Sequence, residues 1–290
     1  MEILLARDMG FCWGVRRAID IMEKAAAEKG EVTSLGPIVH NPDVVRDLEG
    51  KGVCVSTEPL DGAGGPVAIT AHGAGPQMLA EARALSSEVV DTTCPIVTRS
   101  QRWAKKMADA GFTVVVFGDP EHREVKGVLA WAGSNALALG HGDGIPDDLP
   151  ARLAVISQTT QSAKRFARFV SALMQKRVAE IGELRVINTL CNATSSQQEA
   201  ARELAQEVDL MLVVGGRSSA NTRHLREICQ EEGAATHQVQ SAEELRGEWF
   251  QGCERVGVTA GASTPDSAVE AVVRQIQEIA QELAGTASAN

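Results

Sequence analysis

The chain has 290 residues, 44% of them hydrophobic, which is enough to bury a large core in one to three domains. Its formal charge of -10 excludes the broad basic surface that a nucleic acid or an anionic membrane demands, while leaving room for a local anion pocket. The start at Met1 carries too short an apolar run for a signal peptide, and no stretch approaches the roughly 18 apolar residues of a membrane span. A soluble, cytoplasmic protein is therefore predicted, with six cysteines kept as thiols for metal or catalysis.

In chain order the first predicted element is a strand at Ile3 to Ala6. A helix follows, with Val15, Ile19, Met22 and Ala26 at helical spacing and Gly30 as its C-terminal cap. Strands are predicted around Val53-Cys54-Val55 and from Val67 to Ala71, the second ending in a polar turn at His72. Pro95 suits the first position of a helix that ends near Gly111, and Phe112 to Phe117 forms the next strand. Leu153 to Ser157 runs into the turn Thr159-Thr160, and the helix after Cys191 ends near Val208. Leu210 to Val214 is a strand, Ser219-Ala220-Asn221 opens a helix, and a last strand from Val256 runs to Ser263. Short β-branched runs bounded by Gly or Asp read as buried parallel strands. Asp61 to Pro66 and Gly140 to Pro150 read as surface loops, and Gly285 onward as a frayed tail.

An internal echo organises these elements. Cys12, Cys94 and Cys191 are each followed, 24 residues later, by a glycine: Gly36, Gly118 and Gly215. At offset 28 stand His40, His122 and Ser219. Repeats of about 90 residues exceed solenoid periods and are each large enough for a small α/β unit. Three units are predicted, at 1–93, 94–190 and 191–290, the first including the N-terminal strand.

All three sulfurs fall near helix starts, where the macrodipole and unpaired N–H groups favour a thiolate. One sulfur from each of three units could bind zinc, hold an iron-sulfur cluster or simply pack. Zinc lacks its usual paired C-x-x-C spacing here, whereas a cubane suits separated ligands and leaves one iron open. Cys54, in the middle of its strand, and Cys229 and Cys253, without matching positions in the other repeats, read as buried thiols. His40, His72, Ser219, Asn221 and Ser263 form a donor set suited to phosphate oxygens. Glu124 stands 30 residues after Cys94, as Asn221 does after Cys191, so a carboxyl is expected beside the anion donors, with a raised pKa in a partly closed site. As a solvated residue of the charged run Glu121 to Lys126 it would do nothing of the kind. Thr159 and Thr160 either relay its proton or merely end the strand. No G-x-G-x-x-G follows a strand and no G-x-x-x-x-G-K is present, so electrons, if needed, come from a separate protein.

Gly10-Phe-Cys12-Trp-Gly-Val, Val39-His40-Asn, Ala71-His72-Gly, Asp91-Thr-Thr-Cys94-Pro, His122-Arg-Glu124-Val-Lys-Gly, Gln158-Thr159-Thr160 and Val258-Thr-Ala-Gly-Ala-Ser263-Thr-Pro-Asp together resemble the 4-hydroxy-3-methylbut-2-enyl diphosphate reductase family, also called LytB. The resemblance runs in order from residue 2 to about residue 280. It implies a trefoil of three pseudo-threefold-related α/β units, each with a small, mainly parallel sheet, around a central [4Fe-4S] cluster. It also implies reductive removal of an allylic hydroxyl at the end of the methylerythritol phosphate route to isoprenoids, with ferredoxin or flavodoxin as electron donor.

Carried over by position, Cys12, Cys94 and Cys191 ligate the cluster, whose fourth iron stays open for the substrate. His40, His72, His122, Thr159, Thr160, Ser219, Asn221 and Ser263 hold the substrate or order water beside it, and Glu124, with Thr159 and His122, handles protons. The chain departs from the family pattern at Ala220, where a serine is common, and at Arg123, where proline is usual. A quinolinate synthase-type enzyme and a non-catalytic iron-sulfur or zinc sensor are the competing readings of the same cysteines.

Overall fold

The structure is a computed structural model that describes residues 1–56, 64–140 and 144–288. Much of the loop expected at Asp61 to Pro66, and the tip of that expected at Gly140 to Pro150, lie outside them. Among the described residues the strands form three four-stranded parallel sheets, and no helix is long and apolar enough to cross a membrane. By internal contacts the chain divides into two compact units. One comprises Met1–Trp13, His40–Val44 and Asn192–Asn290; the other comprises Gly14–Val39 and Val45–Cys191.

The second unit holds two sheets. Strand β1 (Glu2–Leu5) and helix α1 (Trp13–Lys29) precede them in the chain. β2 (Val32–Leu35), α2 (Pro42–Gly50), β3 (Val53–Ser56), β4 (Pro66–Ile69), α3 (Pro76–Leu85) and β5 (Glu88–Asp91) then supply a sheet of order β3-β2-β4-β5. α4 (Pro95–Asp109), β6 (Thr113–Phe117), α5 (Arg123–Ala132), β7 (Ala136–Leu139), β8 (Arg152–Ser157), α6 (Ala163–Arg177) and β9 (Glu183–Val186) follow, giving the order β7-β6-β8-β9. Strand alternation builds this second sheet into a sandwich. Val114, Val116, Ala154 and Ile156 face α4 and α5, while Val115, Phe117, Leu153 and Val155 face Phe166, Phe169 and Leu173 of α6. Each fully buried valine, leucine or isoleucine among them contributes about 1.5–3 kcal/mol of apolar burial.

The first unit carries α7 (Asn192–Ala205), β10 (Leu210–Val214), α8 (Ala220–Glu231), β11 (Ala235–Val239), β12 (Arg255–Ala260) and α9 (Asp266–Ser288). Its sheet order is β1-β12-β10-β11, so β1, expected in the first repeat, pairs instead with β12. Leu210, Leu212, Val214, Val256 and Val258 pack on α9 through Val272 and Ile276, and Met211 and Val213 pack on Ala201, Leu204 and Leu225. The apolar stripe of α9 packs on the sheet through Ile279, and the helix runs on to Ser288, where a tail was expected from Gly285.

The three sheets have one topology. In each, an edge strand (β1, β5 or β9) leads to one of the repeated cysteines and pairs with the strand before a polar turn (β12, β4 or β8). Pro95 occupies the first position of α4, with Cys94 as N-cap in extended backbone. Cys54 is exposed, contrary to its expected burial, because β3 is an edge strand and alternation turns its neighbour Val53 inward instead. Cys229 is fully buried between α7 and α8, and Cys253 packs partly buried against the α9 core.

Candidate active site

One backbone hydrogen bond recurs at all three cysteines. The Cys12 N–H donates to Ala262 O at 3.1 Å, Cys94 N–H to Ala71 O at 3.0 Å, and Cys191 N–H to Thr159 O at 2.9 Å. In each case the residue after the acceptor is an expected polar donor: Ser263, His72 or Thr160. Every repeated sulfur is thereby tied to the head of a polar turn.

Within the larger unit, Cys94, Cys191, Glu124, Thr159, Thr160, His122 and His72 stand on the ends of strands and the starts of helices. Burial is the main influence on the Cys94 thiol and pushes its pKa up. The amides of Ile96 and Val97 at the start of α4 pull it down, and negative charge on Cys191 and Glu124 raises it again. Those couplings put Cys94, Cys191 and Glu124 within one electrostatic neighbourhood.

Glu124 is 2% exposed, in the first turn of α5. Its Oε1 accepts the Thr159 N–H at 2.7 Å and its Oε2 accepts the Thr159 hydroxyl at 2.9 Å. Desolvation dominates and lifts its pKa to about 7, against the two Thr159 bonds that favour the carboxylate. The solvated reading of Glu124 is thus overturned: packing of α5 on the sheet turns this one member of the charged run inward. Thr159 does more than end its strand.

His122 caps α5, its Nδ1 accepting the Glu124 N–H at 3.2 Å, which leaves Nε2 as the protonated nitrogen of the neutral ring. The His72 and His122 rings lie edge to face with centroids 5.6 Å apart, and His72 Nδ1 is 3.4 Å from the Thr70 hydroxyl. Gln158 is 1% exposed; its Oε1 accepts the Asp119 N–H at 3.0 Å, and its Nε2 has no partner among the described residues. Gln158 lies outside the expected set of site residues, although its position beside Thr159 in the sequence is a signal. Gly118, the repeat glycine, leaves room for it, since a Cβ there would stand 2.7 Å from the Gln158 Cβ.

The smaller unit holds Cys12, His40, Ser219, Asn221 and Ser263. The Ser263 hydroxyl donates to His40 O at 3.2 Å, and Gly216 lies so close to that carbonyl that a Cβ would come within 2.7 Å of it. Ser219 caps α8 by accepting the Thr222 N–H at 3.3 Å, which leaves its own proton to donate. Asn221 is buried, donates to Gln197 Oε1 at 3.2 Å, and presents an Oδ1 with no partner among the described residues. Ser219 and His122, at the same offset from their cysteines, therefore perform the same capping task. His40 does not cap α2; Asn41 does, accepting the amides of Asp43 and Val44.

Comparison with known proteins gives one consistent answer. A family described as "LytB protein" matches residues 3–277. A Dehalococcoides mccartyi (strain CBDB1) protein named 4-hydroxy-3-methylbut-2-enyl diphosphate reductase is 45% identical over 281 residues, covering 96% of this chain and 99% of its own. One of the same name from Geobacter sulfurreducens is also 45% identical, covering 96% and 98%. A solved structure of (E)-4-hydroxy-3-methyl-but-2-enyl diphosphate reductase, described as the terminal enzyme of the non-mevalonate pathway, is similar at 37% identity, TM-score 0.68, over 96% of this chain and all of that one. The Plasmodium falciparum E-1-hydroxy-2-methyl-but-2-enyl-4-diphosphate reductase superposes with TM-score 0.85 at 25% identity, covering 94% and 87%.

Proposed function

The chain belongs to the LytB protein family, and from that premise we propose that it reduces (E)-4-hydroxy-3-methylbut-2-enyl diphosphate to isopentenyl and dimethylallyl diphosphate, the last step of the methylerythritol phosphate route. The reaction breaks one allylic C–O bond, takes up two electrons and two protons, and releases water. The observation that carries the assignment is Glu124: a buried carboxyl with a pKa near neutrality, held by Thr159 in the electrostatic neighbourhood of Cys94.

Cys12, Cys94 and Cys191 are the proposed ligands of a [4Fe-4S] cluster, which when bound supplies reducing electrons and one iron open to the substrate. The donor set fits such a group. All three are thiols rather than disulfides, each lies just before a helix, and their amides share one hydrogen-bonding position. Cys12 joins the set through that equivalence.

In this reading Glu124 enters protonated and gives its proton to the departing hydroxyl oxygen, and the Thr159 N–H and hydroxyl stabilise the carboxylate left behind. A second proton, for the allylic carbon, passes by the same carboxyl after it is recharged. His40, His72, His122, Thr160, Ser219, Asn221 and Ser263 bind the diphosphate or its waters, aided by free amides at the start of α8, where the Ala220 N–H substitutes for a side-chain hydroxyl. Electrons arrive from ferredoxin or flavodoxin in the cytoplasm. Residues 1–93, 94–190 and 191–290 are read as duplicated units, supported by the shared sheet order, with β1 of the first completing the sheet of the third.

The test is anaerobic purification with iron and sulfide quantification, followed by product analysis using the allylic diphosphate and a chemical reductant. Near-stoichiometric cluster and both five-carbon diphosphates are expected. A chain that binds only zinc, with no visible absorbance, would refute the assignment in favour of a sensor. An iron-sulfur chain that leaves the diphosphate untouched would favour a synthase of another kind.

A further inference from the structure

The helix that begins after one repeated cysteine reaches the peptide that delivers the next. Arg17, five residues after Cys12, donates from Nη1 to Thr93 O at 3.3 Å. Arg99, five residues after Cys94, donates from Nη2 to Leu190 O at 3.2 Å. After Cys191 neutral groups reach the segment before Cys12 instead, one peptide short of the cysteine: Ser196 donates to the Asp8 carboxylate at 2.9 Å and Gln197 Nε2 to Gly10 O at 2.8 Å.

The two arginine links act on the very peptides that carry the cysteine amides. The Thr93–Cys94 peptide has its oxygen held by Arg17 and its N–H held by Ala71 O; the Leu190–Cys191 peptide has its oxygen held by Arg99 and its N–H held by Thr159 O. A planar peptide gripped at both ends has a fixed orientation, so only the cysteine's φ and its side-chain torsion remain to place the sulfur. Both grips on the oxygen are charge-assisted, and each brings a permanent cation to the backbone beside a thiol.

Resting on the iron-sulfur reading above, we infer that Arg17 and Arg99 are positioning residues of the sulfur centre, each fixing the peptide plane that presents the next cysteine and placing positive charge where reduction adds an electron. Ahead of Cys12 the neutral Gln197 holds the Gly10–Phe11 peptide, one position earlier, and brings no charge. Net charge and hydrogen bonding near the sulfurs are levers on cluster potential, so the two functions of the guanidinium separate experimentally.

The test compares wild type with Arg17→Gln, Arg99→Gln and Arg99→Lys in the full chain. Hydrogen exchange by mass spectrometry is expected to speed up at least tenfold around residues 190 and 191 in Arg99→Gln and around residues 93 and 94 in Arg17→Gln, each leaving the other segment unchanged; a merely structural loss would accelerate both together. In anaerobically reconstituted protein both glutamine variants should release iron to a chelator faster, and the reduction equilibrium should move tenfold toward the oxidised state, 59 mV for one electron. Arg99→Lys should restore most of that potential. Unchanged exchange and unchanged potential in both glutamine variants would overturn the inference while leaving the cluster itself intact. A wild-type chain that takes up no iron would instead sink the cluster reading, and the positioning role with it.

Discussion

Glu124→Gln is the most informative single perturbation, because it separates the proton from the shape. The carboxyl is fully desolvated, and folding lifts its pKa from an ordinary 4.5 to about 7. Because the folded state holds the proton more tightly than the unfolded chain, this group's favourable contribution is fully present below about pH 4.5 and is lost as pH rises through about 7. The loss amounts to about 3 kcal/mol once the native carboxyl is ionised, at roughly 1.4 kcal/mol per tenfold.

Glutamine keeps the volume and carries no charge. Its oxygen can accept the Thr159 N–H, and its amide can donate to a reversed Thr159 hydroxyl. Denaturant unfolding of the two chains between pH 4.5 and 8.5 should therefore give a difference that grows with pH, in favour of the variant, to about 3 kcal/mol. Turnover should fall about 10²–10⁴-fold, the range for loss of a general acid, with the cluster retained and the alkaline decline in rate near pH 7 abolished. Parallel stability curves at every pH would refute the desolvation argument. Unchanged turnover would remove Glu124 from the chemistry.

Thr159→Val removes one donor to the Glu124 carboxylate, which should raise that pKa further, move the alkaline limb of the pH–rate profile upward, and cost about 1–3 kcal/mol above pH 7 by leaving an acceptor unpaired. Serine at Cys12, Cys94 or Cys191 should each abolish stoichiometric iron, whereas Cys54→Ser, on an exposed edge, should leave the iron-to-protein ratio unchanged. Gly118→Ala must move Gln158 or Val125, whose nearest atoms stand 2.7 and 3.0 Å from the new Cβ; a loss of about 1–3 kcal/mol in thermal or denaturant unfolding is expected, with reduced turnover as α5 shifts. Ser219→Ala should cost about 1 kcal/mol through the lost α8 cap, and Ser219→Thr should recover most of it.

Local chemistry is legible along the chain wherever it depends on near neighbours. Alternation and β-branching located β6, β8, β10 and β12, and Pro95 and Ser219 marked helix starts, because a strand's faces and a helix's first turn are set by adjacent residues. The repeat glycines were visible as a pattern, though their reasons differ. Gly36 has φ +99° and leaves space for the Arg123 guanidinium, which donates to Leu35 O, whereas Gly118 yields to Gln158. Tertiary structure alone decided the pairing of β1 with β12, the burial of Glu124 inside a charged run, the exposure of Cys54, and the reach of Arg17 and Arg99 to the next cysteine's peptide. Each of these depends on which distant segment lies alongside. Parallel pairing joins strands far apart in sequence, and desolvation is a property of everything packed around a group, so neither leaves a mark at the position it governs.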